Sequence, residues 1–276
     1  RKMTTKMALM AMVPVLLMSE GAFASSLISK EVSVSGTGVR EQIKFSPSFA
    51  VLKISLDEDS SIKAEAGAMM SMKNVRAQTG LAGPRNYLTG QVGCLPSMGR
   101  ALFGEQSLFI NTFTGEGDNS WIYLAPRVPG DVFVHTIAPD RELFIQKGSF
   151  LGCWMNVETD AKFKGLKGIL SGEGMFFLRA YTTDNRSGKV YLSSFGAIER
   201  YDLQVGEEIT VDTGHIVAFE DCLTYSIGRL SGGLTAFVMG GEGFVCKFRV
   251  RDRGPRTCGG SIWVQTRVGL RHNSDI

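Results

Sequence analysis

Gly104-Glu105-Gln106-Ser107-Leu108-Phe109 returns in altered form as Gly172-Glu173-Gly174-Met175-Phe176-Phe177 and again as Gly241-Glu242-Gly243-Phe244-Val245-Cys246. The glycines step from 104 to 172 and from 172 to 241, intervals of 68 and 69 residues. An apolar run follows each Gly-Glu pair, then a polar Gly-containing turn, then an aromatic-aliphatic strand. Those strands are Trp121-Ile122-Tyr123-Leu124, Lys189-Val190-Tyr191-Leu192 and Ser261-Ile262-Trp263-Val264. From the glycine to the central aliphatic residue is 18, 18 and 21 residues. A fixed period over most of a chain marks one supersecondary unit used three times.

Upstream of each pair a second signature recurs. Ile62-Lys63-Ala64-Glu65-Ala66-Gly67, Leu143-Phe144-Ile145-Gln146-Lys147-Gly148 and Ile209-Thr210-Val211-Asp212-Thr213-Gly214 each run a strand into a glycine. Each follows an acidic turn: Asp57-Glu58-Asp59, Asp140-Arg141-Glu142 and Gly206-Glu207-Glu208. Period-2 alternation, as in Val51 to Leu56, dominates, and no window sustains a helical period. The connectors from glycine to Gly-Glu pair measure 37, 24 and 27 residues. The first therefore carries an insertion, whose glycines, Pro84 and Pro96 read as a surface loop. The expected fold is all-β, three short sandwich units over 43–128, 129–194 and 195–267, with a tail at 268–276.

Composition is that of a folded chain, with 43% hydrophobic residues, 33 glycines and a net charge of +3. So small a charge gives no footprint for nucleic acid. Arg1, Lys2 and Lys6 precede an apolar stretch from Met7 to Met18, too short to span a bilayer, and Ala22-Phe23-Ala24 offers a cleavage site. Residues 1–30 read as a signal segment, with a transit segment as the rival, and location is organellar (mitochondrion or plastid) or exported.

These residues resemble those of the altered-inheritance-of-mitochondria (mitochondrial biogenesis) family. The resemblance rests on Ala64 to Met69, Gly104 to Phe109, Gly148 to Leu151, Gly241 to Gly243 and the closing Trp263-Val264-Gln265-Thr266-Arg267. It implies a fold like the tryptophan RNA-binding attenuation protein, short double-stranded β-helix units that assemble into rings. It also implies three units per chain, and three chains closing as a homotrimer. The function it implies is a non-catalytic scaffold or assembly protein in mitochondrial-type organelle or membrane organisation. Partners would then be further copies of the chain, membrane-associated proteins or anionic lipid. The alternative reading is a ring-shaped binding module for RNA or a small ligand.

Glu105, Glu173 and Glu242 are the candidate binding residues because they recur: three equivalent carboxylates about a pseudo-threefold axis could hold a cation. The plainer reading is that each accepts backbone N–H groups at a turn. His135, His215 and His272 fall at non-equivalent places without metal-ligand spacing, so no metal or cofactor is expected. Gly254 to Ser261 nearly spells a phosphate loop, but Gly260 stands where the lysine must be. No catalytic constellation emerges, and an enzyme is not expected. Arginines 249, 251, 253, 256, 267 and 271 make the C-terminal part basic, yet only Trp263 is there to stack on bases, so nucleic acid is not an expected partner. Asn185-Arg186-Ser187 is a glycosylation triplet in a predicted turn. The five cysteines (94, 153, 222, 246 and 258) read as buried thiols, with Cys246 and Cys258 able to face each other across the last hairpin. Self-association is expected through edge strands at Val51–Leu56 and Ile262–Thr266, and Ile54→Lys is expected to break it.

Overall fold

The computed structural model describes residues 29–32, 38–81, 109–146, 148–162, 177–229, 244–251 and 260–268. The first twenty-eight residues of the N-terminal segment, the insertion at 82–108 and the candidate carboxylates Glu105, Glu173 and Glu242 all lie outside them.

The fold is all-β. Two leading strands, β1 (Ser29–Val32) and β2 (Val39–Lys44), precede three blocks of six. The first block is β3 (Val51–Leu56), β4 (Ser61–Glu65), β5 (Met69–Lys73), β6 (Val75–Leu81), β7 (Phe109–Gly115) and β8 (Ser120–Leu124). The second is β9 (Val132–Ile137), β10 (Glu142–Gln146), β11 (Phe150–Trp154), β12 (Val157–Lys162), β13 (Phe177–Thr182) and β14 (Gly188–Ser193). The third is β15 (Ile198–Leu203), β16 (Glu208–Asp212), β17 (Ile216–Glu220), β18 (Leu223–Arg229), β19 (Phe244–Val250) and β20 (Gly260–Gln265).

Within each block the pairing is the same. The first strand pairs with the sixth and the sixth with the third, while the second pairs with the fifth and the fifth with the fourth. Each block thus supplies two three-stranded sheets to one sandwich. The blocks then join by a stagger: the second strand of one pairs with the third strand of the next, β4 with β11 and β10 with β17. Four sheets result, ordered β1-β2-β3-β8-β5, β6-β7-β4-β11-β14-β9, β12-β13-β10-β17-β20-β15 and β16-β19-β18. The two middle sheets each draw strands from two blocks.

Alternation of apolar side chains decides which faces are buried. Strand β3 buries Leu52, Ile54 and Leu56 on one face. Strand β14 is buried on both, Tyr191 facing the core between the first and second sheets and Val190 and Leu192 the core between the second and third. Phe144, Phe177, Phe219 and Phe248 fill the third core with stacked and edge-on ring contacts.

The turns follow the chemistry read from the sequence. Asp59 and Asp140, in the acidic turns, take positive φ, as do Gly67 and Gly148 after the following strand. In the third block the device differs: Asp212 accepts a hydrogen bond from the Gly214 amide and a single 3-10 turn, Thr213–His215, leads into β17.

The expected edge strands are corrected. Val51–Leu56 lies between β2 and β8, because the leading strand β2 covers it, and β20 lies between β17 and β15. Ile54 has no exposed surface, so a lysine there would disrupt a core instead of an interface. The strands that end a sheet at a block-joining position are β5 and β16.

Candidate functional site

The sequence-predicted residues do not converge among the described part of the chain. His135 packs edge-on against Trp263 with centroids 4.9 Å apart, and burial, aided by Arg200 and Arg141, pulls its pKa down to about 4. His215 bonds through Nδ1 to the Gln265 carbonyl oxygen at 2.6 Å. His135 serves packing, and His215 ties the 3-10 turn to β20. Among the described residues no cluster of three His, Cys, Asp or Glu side chains is placed to hold a metal. Arg249 is paired with Glu208, and the Asn185 triplet sits in an exposed turn whose Asp184 binds Arg186 and Asn156.

Cys153 and Cys246 are free and buried, which raises each thiol to about 12 and makes it inert. Cys246 therefore does not pair with Cys258, which lies outside the described residues; it faces Val211 and Ile227 across the ladders. Cys222 departs from the reduced-thiol expectation, being disulfide-bonded.

Sequence reasoning missed the most concentrated polar cluster. Glu41 of β2 accepts from Lys189 Nζ at 2.9 Å, from Trp154 Nε1 at 2.9 Å and from Tyr191 Oη at 3.1 Å. The Lys189 ammonium also lies 5.1 Å from the Trp154 ring centroid. The glutamate and lysine side chains are 0% and 3% exposed. Both carboxylate oxygens are engaged, so the cluster ties the leading strand to the second block and leaves no position for a substrate.

Among the described residues, the far face of the first sheet carries part-exposed side chains, and β5 and β16 are two of the strands that end a sheet. On that face Trp121 and Tyr123 stand edge to face at 5.3 Å, and Lys44 bonds the Tyr123 hydroxyl at 3.1 Å and lies over its ring. Beside them is an open groove of about 320 Å³ that includes Arg40, Lys53, Asp57 and Trp121. The edge strand β5 exposes Met69, Met70 and Met72 at 42%, 55% and 39%, while its counterparts β11 and β17 are buried over all but their last residue. These three are among the exposed large apolar side chains of the described residues, with Phe45 and Phe49 on the turn after β2.

Residues 42–267 match the profile of a family described as mitochondrial biogenesis AIM24. A solved crystal structure of a Streptococcus pyogenes protein is similar at 24% identity and a TM-score of 0.61, covering 83% of this chain and 94% of that one; the two share a fold. No curated protein matches the chain.

Proposed function

This chain belongs to the mitochondrial biogenesis AIM24 family, and from that premise we propose that it is a non-catalytic scaffold for organelle-membrane organisation. The observation behind this reading is the contrast between interior and edge. The buried polar cluster at Glu41 is saturated by its own partners, whereas β5 offers three part-exposed methionines and a row of main-chain groups. Such an edge binds protein. Three copies closing as a ring, with membrane proteins or anionic headgroups as further partners, complete the proposal.

The test is removal of the chain from its own cells, followed by measurement of mitochondrial membrane complexes. Complexes that lose size or abundance, recovered by a β-edge-competent copy, support the scaffold; unchanged complexes overturn it. A second reading, a ring-shaped binder of RNA or a small ligand, draws on Trp121 and Tyr123 beside Lys44 and Lys53. Filter binding against pooled RNA across a salt series decides it: tight, steeply salt-dependent retention would favour the binder.

A further inference from the structure

One end of the first sheet gathers three turns. Strands β2 and β3 meet there through Lys44 and Val51, β3 and β8 through Leu52 and Leu124, and β8 and β5 through Leu124 and Met69. The connections at this end are residues 45–50, 66–68 and 125–131. Main-chain bonds hold them together: the Ala50 amide donates to the Gly130 carbonyl at 2.9 Å, and the Ala125 amide to the Ala68 carbonyl at 2.8 Å. Arg127 donates to the Ala66 carbonyl at 2.9 Å. Phe45 is 57% exposed and Phe49 72%, the highest values among the large apolar side chains of the described residues. Val128, on the third turn, is exposed too. Only Arg127 and Asp131 are charged in these turns, and Asp131 accepts from the Val132 amide at the start of β9.

Neither packing nor backbone preference accounts for these aromatics. Both lie outside the core, and Phe45 adopts a φ of 60°, a left-handed conformation rare for a bulky residue. The turns also present few unpaired main-chain donors. Pro47, Pro126 and Pro129 have no N–H, and the amides of Phe49, Ala50, Ala68 and Ala125 all bond to carbonyls at the same end of the sheet. A segment whose amides are already satisfied can pass from water into hydrocarbon without stranding them. A protein partner makes no such demand, because it can bring acceptors of its own. Two cations complete the arrangement. Lys44, just below the first turn, has the neutral Tyr123 hydroxyl as its partner, and Arg127 stands only loosely, at 3.9 Å, from Glu65. Long basic side chains so placed can lay their stems among acyl chains and their heads on phosphate.

We propose that this tip is a membrane-insertion site: Phe45, Phe49 and Val128 enter the interfacial zone of a bilayer while Lys44 and Arg127 take the phosphates of anionic headgroups. The contact is peripheral and reversible, since a few side chains carry it, and salt weakens its electrostatic part. The strands of the first sheet run away from the tip, so the groove at Arg40, Asp57 and Trp121, at their other ends, stays in water. This deepens the scaffold reading, on which it rests for the premise that a membrane is within reach, and names the surface that meets it.

The experiment is binding of the full chain to vesicles of phosphatidylcholine, alone or mixed with phosphatidylglycerol. Residues 7–18 are apolar as well, so the deciding readouts are local to the turns. On the mixed vesicles Phe49→Trp should gain a blue-shifted emission over the unsubstituted chain, quenched by brominated acyl chains; no shift and no quenching overturn the tip. Phe45→Ser/Phe49→Ser, folded by its thermal melt, should bind the mixed vesicles about tenfold more weakly or worse. Val205→Ser, at an exposed apolar side chain on a different turn, should bind them as the unsubstituted chain does. Undiminished binding by the double variant places the membrane contact elsewhere and overturns the tip, leaving the scaffold reading to the measurement on membrane complexes. Equal binding to both vesicles overturns the role of Lys44 and Arg127. A particle that shrinks, by light scattering, in the double variant means that a second copy covers the rings and overturns lipid as the occupant. Membrane complexes that survive removal of the chain, with the tip inserting as expected, overturn the scaffold reading alone.

Discussion

Glu41 and Lys189, 148 residues apart in sequence, meet at 2.9 Å with almost none of either side chain in contact with solvent. An ion pair so placed is held by its supporting donors, the Trp154 indole and the Tyr191 hydroxyl, more than by attraction alone. Through these bonds one side chain of β2 is tied to three residues of the second block.

Removing one partner strands the other. Glu41→Ala is expected to cost about 3–5 kcal/mol, because the lysine ammonium is left buried and uncompensated. Glu41→Leu combined with Lys189→Met should recover at least half of that loss. Urea denaturation of the three variants checks both statements.

His135 gives the chain an acid-sensitive seam between the second and third blocks. Its folded pKa, about 4, lies below the unfolded value of 6.5, so below 6.5 the unfolded chain binds the proton first. The stabilisation is complete above pH 6.5 and is lost as pH falls toward 4, a total of about 3 kcal/mol at 1.36 kcal/mol per unit. His135→Phe keeps a ring against Trp263 and should flatten the slope of unfolding free energy over that window. An unchanged slope would assign it to carboxylates elsewhere.

The free thiols of Cys153 and Cys246, raised to about 12 by burial, should resist alkylation in the folded chain. Both should label readily in concentrated urea, as peptide mass spectrometry would record. Labelling of either at neutral pH under native conditions would show that its core opens.

Gly130 sits where the chain passes from the first block to the second. A methyl group there would lie 2.0 Å from the Ser194 carbonyl oxygen and 2.8 Å from the Gly196 backbone. Gly130 and Gly196 form a parallel bridge, and the Gly130 carbonyl accepts from Ala50. Gly130→Ala must displace two backbone segments at once and is expected to cost about 2–3 kcal/mol, read as a lowered melting temperature.

Much of this architecture was legible in the residues. Alternation in Val51 to Leu56 and in Ile62 to Ala64 announces half-buried strands, and the acidic turns and glycines after them fall where φ turns positive. The open edges were not legible. A strand's own sequence does not say which neighbour it pairs with, so the alternation in β3 suits an edge as well as the inner position it takes between β2 and β8. The Glu41 cluster was hidden for the same reason. Lys189 occupies the position of Trp121 and Ser261, and nothing local distinguishes a buried cation in a strand from a solvated one; only a partner on another sheet does. The candidate carboxylates Glu105, Glu173 and Glu242 lie outside the described residues, so their recurrence stands as a sequence observation.

The staggered joint also sets a timetable for synthesis. Strand β4 cannot be completed until β11 leaves the ribosome, since Ala64 pairs with Gly152, 88 residues later. At roughly 5–20 residues per second that is a wait of about 4–18 seconds with a sheet edge open. The β10 edge waits for β17, Ile145 for Ala218, an interval of 73 residues.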